Sequence, residues 1–553
     1  MKFWNLVKKI FKFGAQQNQF SFSGARNGSF KRPPLHDQKS EAERVLGKNL
    51  KENRRMLEKI FEIPANMDFV IREFQIPGLN VDAFIIYIDG MADRNTQNFA
   101  VLQPLMVLTP GEISSKNPIE TISQKLLPES QIVKNNKLNE IIDAVLDGSS
   151  ILLIDNSDEA LIIETKGWEH RGIEKPANEH VVRGPQESFS ETFRANTASV
   201  RRYIKDPKLM TEILRVGRRS RTLVGVMYLK DVANPKLVEE VKYRIQTVSE
   251  TTDYISETGT LEEYLEDHPK SLIPQMLSTE RPDRLAAHIR EGYVGIVMQN
   301  SPFSLVVPTT FAIFLHAAED YYIRWPFGNF LRLIRAASIF IALLLPAFYI
   351  AVVNYHQEMI PTDLLLAMTA AREAVPFPAI VEILFMEFSF ELIREAGIRI
   401  PGVIGPTIGI VGALILGQAA VAASIVSPIL IIVVAITALG SFVVPNYNAS
   451  FTIRLLRFGF TILASIMGFF GMAFGVFIMA LHTSTLNSFG VPFLSPITPF
   501  RSKSNDRIIR PESFSQRFRP FFLNPLDFIR QDKKTRPWDR PGQDENKGDE
   551  SES

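Results

Sequence analysis

The sequence predicts an α+β soluble N-terminal region of two similar lobes, followed by an α-helical transmembrane domain. Three observations lead to this fold class. Charged residues are dense up to about residue 335 and nearly absent after it, long apolar runs follow, and strand patterns in the N-terminal region occur twice. A chain of 553 residues also exceeds what one hydrophobic core usually supports, so at least two domains are expected.

The composition limits the function classes. The chain has 61 Lys and Arg against 60 Asp and Glu, and this net charge of +1 does not favour nucleic acid as a partner. It contains no cysteine, which excludes disulfides and thiolate metal sites, and no pair of histidines has metal-ligand spacing. No cofactor or metal is therefore expected.

Residues 1–60 form a predicted basic, partly disordered N-terminal segment. Its start, "MKFWNLVKKIFKFG", mixes aromatic residues with lysines and lacks the uninterrupted apolar run of a signal peptide. Two interpretations remain open, a basic amphipathic helix on anionic lipid or a solvated tail.

The repeated strand patterns define two α/β lobes, 61–175 and 176–335, the second including a connecting segment. "VDAFIIYIDGMA" at 81–92 resembles "TLVGVMYLKDVA" at 222–233. "GSSILLIDNSDEALIIE" from Gly148 resembles "GYVGIVMQNSPFSLVVP" from Gly292, each a strand, a turn with Asn-Ser, and a second strand. Helical patterns lie between the strands.

No catalytic constellation is visible, so the chain is not expected to be an enzyme. It has no Gly-rich phosphate loop, no zinc-protease helix and no nucleophile elbow. An arginine-rich stretch at 181–206 could hold phosphate, although salt bridges between the lobes on a solvated face are the favoured interpretation. Its arginines include Arg183, Arg194, Arg201 and Arg202.

Aromatic and basic residues precede the first apolar run, in "AEDYYIRWPFGNFLRLIR" at 318–335. Rings at headgroup depth and cations on the cytoplasmic side are typical of a membrane interface. Trp325, Arg332 and Arg335 are therefore predicted to be membrane-interface anchors.

Residues 336–500 are predicted to be the helical transmembrane domain. Residues 336–353 are uncharged over about the length of a bilayer crossing. No charged residue lies between Arg399 and Arg454, which is enough for two crossings, and a further apolar helix spans 458–481. The glycines of that helix are expected to serve ordinary close packing. They are Gly459, Gly468, Gly471 and Gly475.

One apolar segment, 376–397, is studded with charges, and these form the candidate ion pathway or subunit interface. In a helix, three of its acids fall within about 80° of one another as a stripe, and the first acid points the opposite way. Such acids face a wet passage, a bundle interior or a counter-charge. A pore or vestibule, structural ion pairing with Arg394, Arg372 or Arg399, and a non-spanning interfacial helix all remain open. The candidate residues are Glu382, Glu387, Glu391, Arg394 and Glu395.

The topology is ambiguous from sequence. The positive-inside rule places the N-terminal region in the cytoplasm, and the basic tail, 501–553, is expected there too, partly disordered. Four to six crossings follow. For the tail to lie in the cytoplasm, either residues 482–500 dip back through the bilayer or the segment with the acids, 376–397, does not span it.

Several long motifs resemble a known family. They are "VVRGPQESFSE" at 181–191, "TERPDRLA" at 279–286, "EDYYIRWPFGNFLRLIR" at 319–335 and "AREAVPFPAIVEILFMEFSFELIREAGIRIPGVIG" at 371–405. Together they resemble the A subunits of GerA-type spore germination receptors over about residues 60–500. One departure is Gln299-Asn300, where the family usually has Asp-Gly in the second hairpin.

The resemblance implies a multi-pass protein of the spore inner membrane that senses nutrients with a permease-like B subunit and a lipoprotein C subunit. It also implies a homo-oligomeric ring acting as a ligand-gated cation channel. The nutrient binds either to this chain or to a partner subunit. The alternative hypothesis is a non-conducting membrane scaffold or accessory germination protein that organises receptor subunits.

Overall fold

A computed structural model describes residues 44–107, 118–129, 131–167, 176, 178–400, 404–498 and 509–531. Most of the predicted basic N-terminal segment, residues 1–43, lies outside these ranges. So do residues 501–508 and 532–553 of the predicted tail.

The first sheet is antiparallel, with strand order β1-β2-β4-β5-β3. Its strands and main helices are α1 (Leu50–Ile60), β1 (Phe69–Ile76), β2 (Val81–Ile88), β3 (Ile132–Asn135), α2 (Leu138–Leu146), β4 (Ser150–Ile154) and β5 (Ala160–Ile163). Shorter helical segments, Thr96–Leu102, Gln103–Met106, Pro118–Thr121 and Ile122–Leu126, lie between β2 and β3.

Both faces of this sheet are covered, which explains why β2 is apolar from Ala83 to Ile86, where every residue is buried. Alternate strand residues point to opposite faces. Phe84 and Ile86 pack against α1 and α2, whereas Ile85 packs against the short helices between β2 and β3. An apolar run bounded by turn residues is the expected pattern for such a strand.

The second sheet has the order β6-β7-β9-β10-β8, which matches the first sheet strand for strand. Its elements are α3 (Phe193–Tyr203), β6 (Leu209–Val216), β7 (Thr222–Leu229), α4 (Pro235–Thr251), α5 (Thr258–Leu265), β8 (Leu277–Thr279), α6 (Pro282–Arg290), β9 (Val294–Met298) and β10 (Ser304–Val307). The β4–β5 and β9–β10 turns each place an asparagine at positive φ, Asn156 at 62° and Asn300 at 64°. Asparagine tolerates this conformation, so Asn300 supplies the turn without glycine. The α+β prediction for the N-terminal region is confirmed.

A buried ion pair joins the two sheets. Arg201 of α3 is 2% exposed and donates from Nε to Asp68, just before β1, at 2.5 Å. Arg194 binds the other Asp68 oxygen at 2.9 Å. Asn66 adds hydrogen bonds to the backbone of β6. Salt bridges of Arg194 and Arg201 do join the two sheets, but the prediction of a solvated face is wrong for Arg201, whose pair with Asp68 is buried.

The C-terminal half is a bundle of helices. They are α7 (Trp325–Tyr355), α8 (Thr362–Arg372), α9 (Ala379–Arg399), α10 (Ile404–Ala422), α11 (Pro428–Phe442) and α12 (Tyr447–Thr485). Among the described residues, α7 and α12 are long and apolar enough to cross a membrane by length and composition. α11 is a shorter apolar helix.

α12 is a hairpin bent at Gly468, where φ is 58° and ψ is −139°. A straight helix would place Thr452 and His482 about 45 Å apart. Instead, Thr452 donates to the carbonyl of Leu272 and His482 lies 3.0 Å from Ser271. Both arms of α12 therefore end at the same loop of the second sheet region.

The bend is stabilised from α7. The Tyr355 hydroxyl donates to the carbonyls of Ser465 and Ile466, at 2.7 and 2.9 Å, just before the bend. The expectation of ordinary packing is wrong for Gly468, since its backbone conformation requires glycine. Gly475 does serve close packing, because a Cβ there would lie 2.8 Å from the Phe460 ring.

Gly468→Ala is expected to destabilise the chain by about 1–3 kcal/mol, because alanine is strained in this conformation and its Cβ would meet Tyr355 at 3.1 Å. The check is the melting temperature of the full chain purified in detergent. Gly459→Ala is the matched control, since nothing lies within 4 Å of that Cβ. Equal melting temperatures for the two variants would refute the strained bend.

The end of α12 is anchored in the second sheet region. Beyond the helix, β11 (Asn487–Ser488) and β12 (Val491–Pro492) form a small hairpin. Its Phe489 is buried in one core of the second sheet, beneath Arg244, and donates its backbone N–H to Asp267 at 2.7 Å. The chain that follows α12 is therefore packed into the core of the second sheet.

The tail also returns to the sheets. Arg510 exchanges two backbone-to-side-chain hydrogen bonds with Asn329 of α7, at 2.7 and 2.8 Å. Leu526 donates its N–H to the carbonyl of Val232 after β7. In the first sheet the equivalent carbonyl, Met91 after β2, accepts from Gly167. A tail residue thus pairs with the loop after β7 in the way that the chain just after β5 pairs with the loop after β2.

Candidate functional site in the helical bundle

Glu382, near the start of α9, is a buried anchor between three elements. Its side chain is 1% exposed, and Arg372 at the end of α8 lies 3.2 Å from Oε1. Its Oε2 accepts from the backbone N–H of Ser427 at 3.0 Å, immediately before α11. A carboxylate at a helix N-terminus is favourable because the free N–H groups carry partial positive charge. Glu382 therefore fixes α8 and α11 to α9.

Glu387 is buried deeper in the bundle and is incompletely paired. It is 1% exposed, and its Oε1 lies 3.3 Å from Nε of Arg457 in α12. Neither carboxylate oxygen accepts a hydrogen bond from any described residue. Its counter-charge among the described residues is therefore a single, imperfectly aligned arginine.

Glu391 lies one turn further along α9 and gathers three arginines. Arg454 of α12 donates to both carboxylate oxygens, with the Nε–Oε1 distance at 3.0 Å. Arg457 reaches Oε1 from Nη2 at 3.2 Å, and Arg394 Nη1 lies 3.7 Å from it. A bidentate arginine–carboxylate pair is both strong and geometrically specific. Glu391 thus ties α9 to the first arm of α12.

Glu395 differs from the other acids because it lies at the surface. Its side chain is 58% exposed and pairs with Arg399 one turn later, at 2.6 Å. Exposed ion pairs of this kind contribute little to stability. Arg394, beside it, donates to Ser441 at 2.9 Å and stacks on Phe442.

The structure separates the predicted stripe by burial. Glu387 is buried, Glu391 is mostly buried and Glu395 is exposed. The arginines that the ion-pairing interpretation named, Arg394, Arg372 and Arg399, each lie beside an acid of the same chain. That such pairs hold subunits together stays a prediction. Sequence reasoning missed Arg454 and Arg457 as partners. Their spacing of three residues places both on one face of a helix, which was the available signal.

The predicted interface anchors occupy two different environments. Trp325, the first residue of α7, is 43% exposed. Arg332 and Arg335 are buried instead, and both bind Asp320, at 3.0 and 2.7 Å. Asp320 itself is fully buried just before α7. These two arginines therefore join the start of α7 to the sheet region, a contact that the sequence analysis did not foresee.

In the described part of the chain, no group of three or more histidine, aspartate or glutamate side chains is placed to hold a metal ion. The charged groups of the bundle instead pair acid with base between helices. The chemistry available there is the making and breaking of ion pairs.

Comparison with known proteins places these features in a family. The family profile described as Bacillus/Clostridium GerA spore germination protein matches residues 55–522, which include both sheets and the whole bundle. This chain belongs to the GerA family of spore germination proteins. The predicted family resemblance is confirmed.

Individual GerA-family relatives match over most of their length. The chain is 38% identical over 494 residues to spore germination protein KA of Bacillus subtilis (strain 168), covering 89% of each protein. It is 37% identical over 468 residues to spore germination protein GerLA of Bacillus cereus, covering 84% of this chain and 94% of that protein.

A solved structure also matches. It is the crystal structure of the N-terminal domain of the A subunit of the Bacillus megaterium spore germinant receptor GerK3. The sequence identity is 27%, the match covers 48% of this chain and 98% of that one, and the TM-score is 0.37.

Proposed function

We propose that this chain is the A-type subunit of a nutrient receptor that triggers spore germination, and that it is not an enzyme. The observation that carries the proposal is the family match over residues 55–522, which spans the sheet region and the bundle together. We further propose that it works as a homo-oligomeric, ligand-gated cation channel with a permease-like B subunit and a lipoprotein C subunit. The nutrient binds to a partner subunit.

The proposed location is the spore inner membrane, with the sheet region in the cytoplasm. α7, α9, α10, α11 and the two arms of α12 would give six crossings. This arrangement is supported by the hairpin at Gly468, which returns the chain to the sheet side, and by the tail contacts with Asn329. With six crossings, residues 482–500 need not dip back through the bilayer, and the segment with the acids spans it.

Within this proposal the acids have two roles. A residue that lines a central pore between identical subunits must be exposed on each subunit, and Glu395 meets that condition. Repeated around a ring, it would place negative charges where cations enter. Glu382, Glu387 and Glu391 instead connect helices within one subunit, so that opening can reposition α9 against α12.

The second candidate function is a non-conducting scaffold or accessory protein that organises receptor subunits. The observation that favours it is the internal pairing of Glu387 and Glu391 with Arg457 and Arg454. Buried pairs of this kind hold helices together whether or not ions pass.

Neutralising the exposed acid separates these functions. Glu395→Gln is expected to lower the rate of cation release from germinating spores several-fold, because the pore entrance loses its negative charge. The matched control is Glu263→Gln, an exposed acid of α5 in the sheet region. Cation release, germination rate and the native mass of the complex are measured for both variants.

Unchanged cation release from Glu395→Gln spores with an intact complex would exclude this acid from the ion pathway. The second measurement is cation flux through the purified complex in liposomes. Absence of any cation flux on addition of nutrient, with all receptor subunits present, would support the scaffold over the channel.

A further inference from the structure

We propose that Arg394 and Arg454 form a binding site for the phosphate of an anionic lipid headgroup, on the sheet side of the bundle. The site lies where α11 ends and α12 begins. The inference rests on the membrane placement proposed above, but not on ion conduction.

The first observation is an imbalance of charge. Arg394, Arg454 and Arg457 converge on Glu391, and the further acid within the cluster is Glu387. Three guanidinium groups thus face two carboxylates, which leaves one positive charge without a counter-ion among the described residues. A partly buried surplus charge is costly unless an anion approaches it.

The second observation is which donors are left over. Arg454 uses Nε and Nη2 on Glu391, so its Nη1 has no partner among the described residues. Arg394 uses Nη2 on Ser441 and approaches Glu391 only with Nη1, so its Nε is similarly unused by that part of the chain. Both side chains are 14% exposed, so each reaches the surface of the bundle. Guanidinium groups present their N–H groups in a geometry suited to phosphate.

Exposed aromatic side chains surround these arginines. The Arg394 guanidinium lies 4.3 Å from the ring centroid of Phe442, and that of Arg454 lies 5.3 Å from Phe451. Phe442, Tyr447 and Phe451 are all more than half exposed. Rings with an adjacent cation are typical of the headgroup region, where one end of the site is apolar and the other polar.

The position of the site along the bundle selects a lipid as the occupant. Thr452, beside Phe451, donates to the carbonyl of Leu272 in the sheet region. The aromatic residues therefore lie at the end of the bundle next to the sheets, in the connection between two helices. That is the depth at which the phosphates of the adjacent leaflet would lie.

The experiment uses the full chain purified in detergent, with phosphatidylglycerol, phosphatidylcholine or inorganic phosphate added separately. Bound lipid is counted by native mass spectrometry, and the melting temperature is measured in parallel. The wild-type chain is expected to retain phosphatidylglycerol in preference to phosphatidylcholine. Arg394→Gln should lower that preference about fivefold, as expected for the loss of one guanidinium group that hydrogen-bonds the phosphate directly.

The matched control is Arg399→Gln, a more exposed arginine of the same helix that pairs with Glu395. It should keep the wild-type lipid preference. Phe442→Leu tests the site without changing charge, and it should also weaken retention of phosphatidylglycerol. It serves as the deciding variant if Arg394→Gln does not fold.

Equal retention of the two lipids by the wild-type chain would overturn the proposal. So would a shift in melting temperature with inorganic phosphate alone that matches the shift with phosphatidylglycerol, since the ligand would then be a free anion. A changed native mass with unchanged lipid preference in Arg394→Gln would assign the patch to contact between subunits instead. If the complex does not conduct but the lipid preference is intact, the channel is rejected and the lipid site is retained. If the chain is recovered in solution without detergent or membrane, the membrane placement itself is rejected.

Discussion

Asp320→Ala is expected to destabilise the chain by about 3–5 kcal/mol, because it leaves Arg332 and Arg335 buried without their counter-charge. Asp320 also accepts a hydrogen bond from the N–H of Ala317 at 3.1 Å, so the alanine variant loses a local tie as well. The expected result is a lower melting temperature and a faster loss of the intact chain to protease at the junction before α7. Both are measured on the full chain in detergent.

Glu319→Ala is the control for this position, because the neighbouring glutamate forms no described ion pair. It should melt close to the wild-type temperature. If Asp320→Ala melts no lower than Glu319→Ala, the two arginines do not depend on Asp320, and the account of how α7 joins the sheets is wrong.

Asp68→Ala is expected to have an effect of similar size, about 3–5 kcal/mol, at the contact between the two sheets. Arg201 would be left buried with hydrogen bonds only to Asn66 and to the carbonyl of Leu209, both at 2.9 Å. The sheets should then separate more readily. We expect early proteolytic cleavage between them and a lower melting temperature of the full chain.

Glu62→Gln provides the comparison, since Glu62 joins the same two sheets through Lys230 and Lys208 at a partly exposed position. Ion pairs near solvent are worth about 0–1 kcal/mol, so this variant should be close to wild type. Equal losses of stability in both variants would show that the burial of Arg201 has no special importance at this contact.

Local patterns were sufficient to predict most of the sheet region. β2 and β7 were recognisable as buried strands because both of their faces are covered, which makes most of their positions apolar. The Asn-Ser turns also appeared in both repeats, and the structure places each asparagine at positive φ. These features depend on neighbouring residues, so the sequence contains them directly.

The bundle was predicted less completely, because its decisive features are not local. An apolar run from 458 to 481 reads as one straight helix, and the bend at Gly468 depends on Tyr355, more than a hundred positions earlier in the chain. Likewise, Arg332 looked like an interface anchor because its partner Asp320 is brought to it only by folding. The acids of α9 were identified as candidates, but their separation by burial follows from the packing of α12.

The hydrogen bond between Leu526 and Val232 has a consequence for biosynthesis. The chain is made from its N-terminus, and domains generally fold as they emerge from the ribosome. The first sheet can form completely once Gly167 has been translated, whereas the carbonyl of Val232 waits for its partner until every helix of the bundle has been synthesised. All five strands of the second sheet are translated by Val307, so the sheet can pair before the bundle is made, but the loop after β7 keeps an unpaired carbonyl at Val232 until Leu526 has been translated.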